Sequence, residues 1–286
     1  MRSPRVGEIA DVARTLAVWD RSDPLGSGLR GGDFGWMCRN GDAWMAEKTL
    51  IWEGASGDVV AIGVREGSDG IWVQLDPACF FDSAVAQSIV DGVQEAGIRE
   101  VSGPAAPSAL RAELAERGAT IDPDLWPHLW RPLTDADLIE TPGVLSTNSA
   151  RLVKERITVQ RSAFVNSTFT REKWEMMAAG PLFRPELDLI LTDESGAGVS
   201  ALTAWLSADA PCGVIEPMGT HRDHWRRGYG SRVLRASFSA LRRLGADGVR
   251  VFAERGNAGA IATYTRVGFR VVGYDATFRL GREGTH

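Results

Sequence analysis

The second half of the chain repeats the first in the order of its elements. Val59–Arg65, after a turn at Gly57, matches Val199–Leu206. Ile71–Leu75 reads as a strand, Ala84–Glu95 as a helix and Glu100–Gly103 as a strand. Ala109–Gly118 (ALRAELAERG) lies over Gly259–Gly268 (GAIATYTRVG), and His128–Leu133 over Ala276–Leu280. Self-similarity at a period of about 150 residues implies two copies of one domain. The 286-residue length suits two domains of ordinary size. Thr134–Ser149 (TDADLIETPGVLSTNS) is polar, holds Pro142 and Gly143, and reads as a linker. The expected domains are therefore residues 1–143 and 144–286.

The C-terminal half resolves into alternating elements. Helices are predicted over Arg151–Phe164 and Arg171–Ala179. Strands follow at Glu186–Thr192, Gly198–Ser207 and Cys212–Thr220, with turns at Asp193–Gly198 and Ala208–Pro211. A helix opens near Gly230. Its Val233, Leu234, Phe238, Leu241 and Leu244 recur every three to four residues, and Gly245 closes it. Val249–Ala253 is a strand, Ala258–Val267 a helix stopped by Gly268, and Phe269–Leu280 a final strand or pair. The order describes a mixed α/β layer.

The stretch that speaks to function is Gly213–Leu234 (GVIEPMGTHRDHWRRGYGSRVL). A strand runs into Trp225-Arg226-Arg227-Gly228-Tyr229-Gly230-Ser231, and this loop opens directly into a helix. Gly228 and Gly230 can take backbone angles closed to other residues and leave room for close approach. The helix start presents unpaired N–H groups and the positive end of its dipole. Together they make an anion cradle suited to a pyrophosphate. Two rival phosphate motifs fail: the GK[ST] of the P-loop is absent, and Val233 breaks GxGxxG.

The segment resembles the cofactor loop of the GNAT acetyltransferase superfamily, Gln/Arg-x-x-Gly-x-Gly/Ala, with Trp225 at the Gln/Arg position. Asn257…Tyr264…Gly268-Phe269 resembles the same family's closing element. The resemblance covers roughly residues 150–282. The repeat adds a likeness to tandem members of the mycothiol-synthase type, which have two such domains and one working site. This implies an α/β fold of two tandem GNAT-like domains, each a splayed, mostly antiparallel sheet with flanking helices. It also implies acetyl-CoA as co-substrate. Trp225, Arg226, Arg227, Gly228, Tyr229, Gly230, Ser231, Asn257 and Tyr264 are then expected at the cofactor. Met218, Gly219 and Thr220 are expected beside its pantetheine, with the Met218 N–H polarising the thioester carbonyl.

An amine attacks a thioester only when neutral, and a free alkyl amine is mostly protonated at pH 7. The reaction therefore calls for a base and for an acid at the departing thiolate. Glu216, in the otherwise apolar VIEPM, is the candidate base, because partial desolvation raises a carboxylate's pKa. His221 and His224 are alternatives. Pro217 cannot donate to a sheet ladder and so predicts a bulge or an edge. Tyr264 matches the family's tyrosine facing the cofactor sulfur and is the candidate acid. Asn257 reads first as a helix N-cap.

The corresponding N-terminal loop, Leu75–Ser83, has no glycine and no basic residue, and Leu114 stands where Tyr264 stands in the repeat. The first domain is expected to be degenerate and to shape the acceptor side, some of its Trp36, Trp44, Trp52, Trp72, Trp126 and Trp130 lining a groove between domains. Residues 1–140 hold 12 Arg/Lys against 23 Asp/Glu, and residues 141–286 hold 20 against 14. A basic half suits an anionic ligand and an acidic half a cationic one. With only three lysines and no long basic cluster, nucleic acid is a poor partner. No apolar run reaches the ~20 residues that span a bilayer, so no membrane association is expected. Glu8 and Asp11 interrupt any signal segment, which predicts a cytoplasmic location. Cys38, Cys79 and Cys212 form no CxxC pair, and no metal is expected. The expected partner is a small-molecule primary amine. A protein or peptide N-acetyltransferase and a non-catalytic acetyl-CoA binder are the alternatives.

Overall fold

A computed structural model of the chain describes residues 1–22, 28–104, 106–206 and 212–281. In chain order the elements are α1 (Ile9–Ser22), α2 (Gly31–Met37), α3 (Asp42–Lys48), β1 (Thr49–Glu53), β2 (Val59–Glu66), β3 (Gly70–Leu75), α4 (Ser83–Glu95), β4 (Glu100–Pro104), α5 (Ala109–Glu116), β5 (Thr120–Ile121) and β6 (Trp126–Pro132). Then come β7 (Val144–Ser146), α6 (Ala150–Ala163), α7 (Arg171–Ala179), β8 (Asp188–Thr192), β9 (Gly198–Trp205), β10 (Cys212–Thr220), α8 (Tyr229–Arg243), β11 (Gly248–Phe252), α9 (Ala258–Arg266) and β12 (Arg270–Arg279). The expected turn at Ala208–Pro211 lies outside the described residues. No helix among the described residues is long and apolar enough to cross a membrane.

The strands join into one mixed, 12-stranded sheet, ordered β1-β2-β3-β4-β12-β6-β11-β10-β9-β8-β7, with β5 paired to β12. The two halves exchange their last strands. β6, from the first half, lies antiparallel between β11 (Arg250↔Trp130) and the start of β12 (Arg270↔Trp130). The end of β12, from the second half, pairs with β4 (Phe278↔Val101) and β5 (Phe278↔Ile121). The two stretches that match in sequence have thus traded places. A period-two pattern specifies which face a strand buries, and both halves offer the same kind of face.

Residues 134–149 carry more structure than a linker. They hold a short 3₁₀ turn at Asp135–Asp137 and β7, which pairs with β8 at Val144↔Leu191. Three residues are too few to show a pattern, but β7 covers the hydrogen-bonding edge of β8.

α8 buries Val233, Leu234, Phe238 and Leu241, the face its spacing predicts. Each such side chain contributes about 1.5–3 kcal/mol. On the other face, α6 is tied down by a buried ion pair. Arg156 Nε meets Asp188 Oδ1 at 3.3 Å, both side chains fully buried. Asp188 also accepts from Thr203 Oγ1 (2.7 Å) and Trp174 Nε1 (2.9 Å), so α6, α7, β8 and β9 share one carboxylate. Removing one partner of a buried pair strands the other charge. Asp188→Ala is therefore expected to cost about 3–5 kcal/mol. An unchanged urea midpoint and slope would show that the pair holds nothing together.

Candidate functional site

The site begins where the sheet opens. β10 runs parallel to β11 only through Cys212, Gly213 and Val214. It stays with β9 as far as Thr220, with a register shift between Ile215 and Met218. The irregularity falls at Glu216-Pro217, where proline removes a ladder donor as its sequence position predicts. Beyond Val214 one edge of β10 faces a widening gap.

A cleft of about 690 Å³ occupies that gap. Its lining includes Met218, Gly219 and Thr220 from β10, Trp225, Arg226, Gly228, Tyr229, Gly230 and Ser231 from the loop and α8, and Asn257 and Tyr264 near and on α9. Of the residues expected to meet the cofactor, Arg227 alone is missing from this wall; it is exposed.

The loop owes its shape to two left-handed residues, Arg226 (φ 61°) and Gly228 (φ 79°). Left-handed residues within a turn can aim successive N–H groups into one concavity. Gly228 is the N-cap of α8, so no side chain caps the helix start. A Cβ at Gly228 would meet nothing within 4 Å, which leaves the space before the helix open. A Cβ at Gly230 would lie 2.9 Å from Met218 Cε and 3.4 Å from Thr263 Cγ2. Trp225 is 58% exposed, and its indole N–H donates to the Thr220 carbonyl at 2.8 Å. One acceptor of the strand edge expected to pair with pantetheine is thereby already engaged. Asn257 caps α9, its Oδ1 accepting from the Ala260 N–H at 3.0 Å, and still faces the cleft.

The counterpart loop in the first half is closed. Asp76 accepts from the Ala78 N–H, and Asp82 accepts from the Ala84 and Val85 N–H groups at 2.9 and 3.1 Å. Carboxylates hold the N–H groups that Gly228 leaves uncapped in the second half. Leu114 is fully buried in the core.

Glu216 does not line the cleft. Loss of hydration, reinforced by Asp33, pushes its carboxyl up to about 8, against the opposing pull of Arg39 and Arg30. Those three neighbours come from the first half, and nothing in the sequence pointed to them. α2 brings them in by close packing. A Cβ at Gly32 would lie 2.7 Å from Val214 Cβ, and one at Gly35 would lie 2.6 Å from the Trp205 ring. Trp205 Nε1 in turn donates to the Glu216 carbonyl at 2.5 Å. Arg30 is buried, donating to Asp275 at 2.6 Å and to Asp33 at 3.3 Å.

Tyr264 is buried against Phe269, with ring centroids 5.7 Å apart. Burial first, and the nearby Glu216 second, raise its phenol well above the usual range, so it keeps its proton. The alternative bases divide between two clefts. His224 lines the same cleft as the loop and packs near Tyr229 with centroids 5.8 Å apart, whereas His221 faces a shallow second cleft beside Arg161 and Arg222. The sequence reading also missed Ala163 and Phe164, which close the wall from the end of α6. Gly219 was their signal, since a Cβ there would lie 2.5 Å from Ala163 Cβ.

Residues 160–269 match the Acetyltransferase (GNAT) family. The chain carries a GNAT acetyltransferase domain. The mycothiol acetyltransferase of Clavibacter michiganensis subsp. michiganensis is 33% identical to it over 112 residues, which are 38% of this chain and 35% of that one. The chain thus spans about a third of that relative's length. Among solved structures, a tandem GNAT protein from the clavulanic acid biosynthesis pathway superposes on 99% of this chain and 98% of its own, with a TM-score of 0.60 and 14% identity. A GCN5-related N-acetyltransferase from Sphaerobacter thermophilus covers 97% of this chain and 94% of its own, with a TM-score of 0.56 and 18% identity. At such identities the likeness is one of fold, and it runs through both halves. The strand that follows the matched residues, Arg270–Arg279, pairs at its end with β4 of the first half.

Proposed function

We propose that the GNAT domain moves the acetyl group of acetyl-CoA to the primary amine of a small molecule by direct attack on the thioester. The observation that carries this reading is an uncapped helix start in a left-handed glycine loop, joined by one cleft to a buried, protonated tyrosine. The loop and helix start suit the pyrophosphate. The open edge of β10 at Met218 suits the pantetheine, laid beside it like a short added strand. Glu216, ionised, takes the proton that the amine sheds as the C–N bond forms. The tetrahedral adduct then expels the thiolate, and Tyr264 supplies the proton that makes it a thiol. We read residues 1–143 as the degenerate half and residues 144–286 as the working one. The small acceptor accords with the mycothiol acetyltransferase likeness.

The test is mass spectrometry of products after incubation with acetyl-CoA and an amine library, alongside calorimetry. An acetylated amine and one acetyl-CoA site per chain are expected. Two equivalent sites would overturn the assignment of a single working half. Gly230→Val forces a branched side chain towards Met218 and Thr263. Such overpacking costs ~1–3 kcal/mol of fold stability, and because the crowded residues line the cleft, acetyl-CoA affinity is expected to fall. Unchanged affinity would place the cofactor away from this loop.

A further inference from the structure

Where α2 packs against Val214 and Trp205, the charge of Arg39 acts on the Glu216 carboxyl. Arg39 follows α2 by two residues, in the segment that close packing of Gly32 and Gly35 holds against β9 and β10. Its guanidinium carbon lies 4.1 Å from the centroid of the Trp36 ring, and its Nη1 donates to the Trp36 carbonyl at 2.8 Å. Trp36 is fixed in turn by Phe169 of the second half, with centroids 5.1 Å apart. Arg39 is thus held by Trp36, which itself packs on the second half. Its remaining N–H groups make no hydrogen bond and no salt bridge among the described residues. Loss of hydration lowers its pKa to about 10, with the Glu216 charge pulling the other way, so it stays charged at neutral pH.

A guanidinium held over an indole, with N–H groups to spare, is a preorganised carboxylate receptor. Glu216, proposed to take the amine's proton, is near enough for its charge to act on Arg39, and no salt bridge joins the two among the described residues. The complement of a fixed cation next to a fixed anion is a zwitterion. We propose that Arg39 is the specificity-determining residue of the acceptor side and binds the carboxylate of an amino-acid-like acceptor whose amine reaches Glu216. The inference rests on the GNAT domain being an amine acetyltransferase. It gives the first half a part in substrate choice, although that half has no cofactor loop.

The experiment compares matched acceptors: amino acids of two to four carbons, and the amino alcohols in which CH₂OH replaces the carboxylate. Amine basicity is similar within each pair. The wild type is expected to favour at least one amino acid over its alcohol by about 10–100-fold in kcat/KM, the range of a charge-assisted hydrogen bond. Arg39→Met should collapse that ratio towards one, through KM for the amino acid rather than kcat, and Arg39→Lys should recover part of it. Acetyl-CoA affinity of each variant reports whether the fold survives. Acetylation of acids and alcohols alike by the wild type overturns the Arg39 role alone. So does an Arg39→Met loss equal for both members, the mark of a merely structural residue. Failure to acetylate any primary amine, in these pairs or in the wider library, removes the acetyltransferase reading and the inference with it.

Discussion

Glu216→Gln is expected to slow acetyl transfer by about 10²–10⁴-fold while leaving acetyl-CoA binding intact. Glutamine is nearly isosteric and keeps the local packing, so what is lost is the basicity. The pH profile carries the sharper test. Glu216 must be ionised to take a proton, and burial with Asp33 nearby raises its pKa to about 8. The ionised fraction, and with it the rate, should rise with pH through that value and fall away below it. The nearest cations, Arg39 and Arg30, limit the shift without abolishing it. A basic alkyl amine sheds its own proton over the same upper range and blurs the limb. A weakly basic aryl amine, already neutral at pH 7, isolates it. In Glu216→Gln that limb should flatten, and the alkyl amine should suffer more than the aryl amine. A mutant that keeps the wild-type profile takes Glu216 out of the mechanism. His221 would not replace it, because it opens onto a different cleft, so His224, which lines the cofactor cleft, or a water chain becomes the route.

Much of this site was legible because its parts are local. A glycine loop between an apolar strand and an amphipathic helix is written in adjacent residues, and left-handed backbone at Gly228 leaves its mark on composition. The run of buried residues along α8 is likewise a local period. What stayed hidden depends on partners distant in the chain. The exchange of β6 and β12 leaves every strand's own pattern intact. α2 carries little helical signal of its own, because three of the seven residues of GGDFGWM are glycine. Gly32 and Gly35 are there for another reason: a side chain at either would collide with Val214 or Trp205. The same close approach brings Asp33 and Arg39 to Glu216, so the surroundings of the proposed base could not be read from the strand that bears it.

Tyr264→Phe is expected to lower kcat by about 10²–10⁴-fold with little change in acetyl-CoA affinity. The ring keeps its packing against Phe269 and its place in the core; the lost atom is the hydroxyl of a residue that lines the cleft. Burial and the neighbouring Glu216 hold the phenol protonated, so the wild-type enzyme always carries the proton the leaving thiolate needs. That need arises only as the C–S bond breaks, and an interaction confined to the transition state appears in kcat rather than in binding. The deficit should therefore shrink for an acyl donor whose thiol is more acidic and leaves without help. A packing role predicts the reverse pattern: a lower melting temperature, weaker acetyl-CoA binding, and the same deficit for every donor. The two mutants also separate by pH. Tyr264→Phe should keep the limb near 8 that Glu216→Gln removes, since the phenol stays protonated throughout that range and the limb belongs to Glu216. A tyrosine mutant that loses that limb would instead make Tyr264 part of what raises the Glu216 pKa.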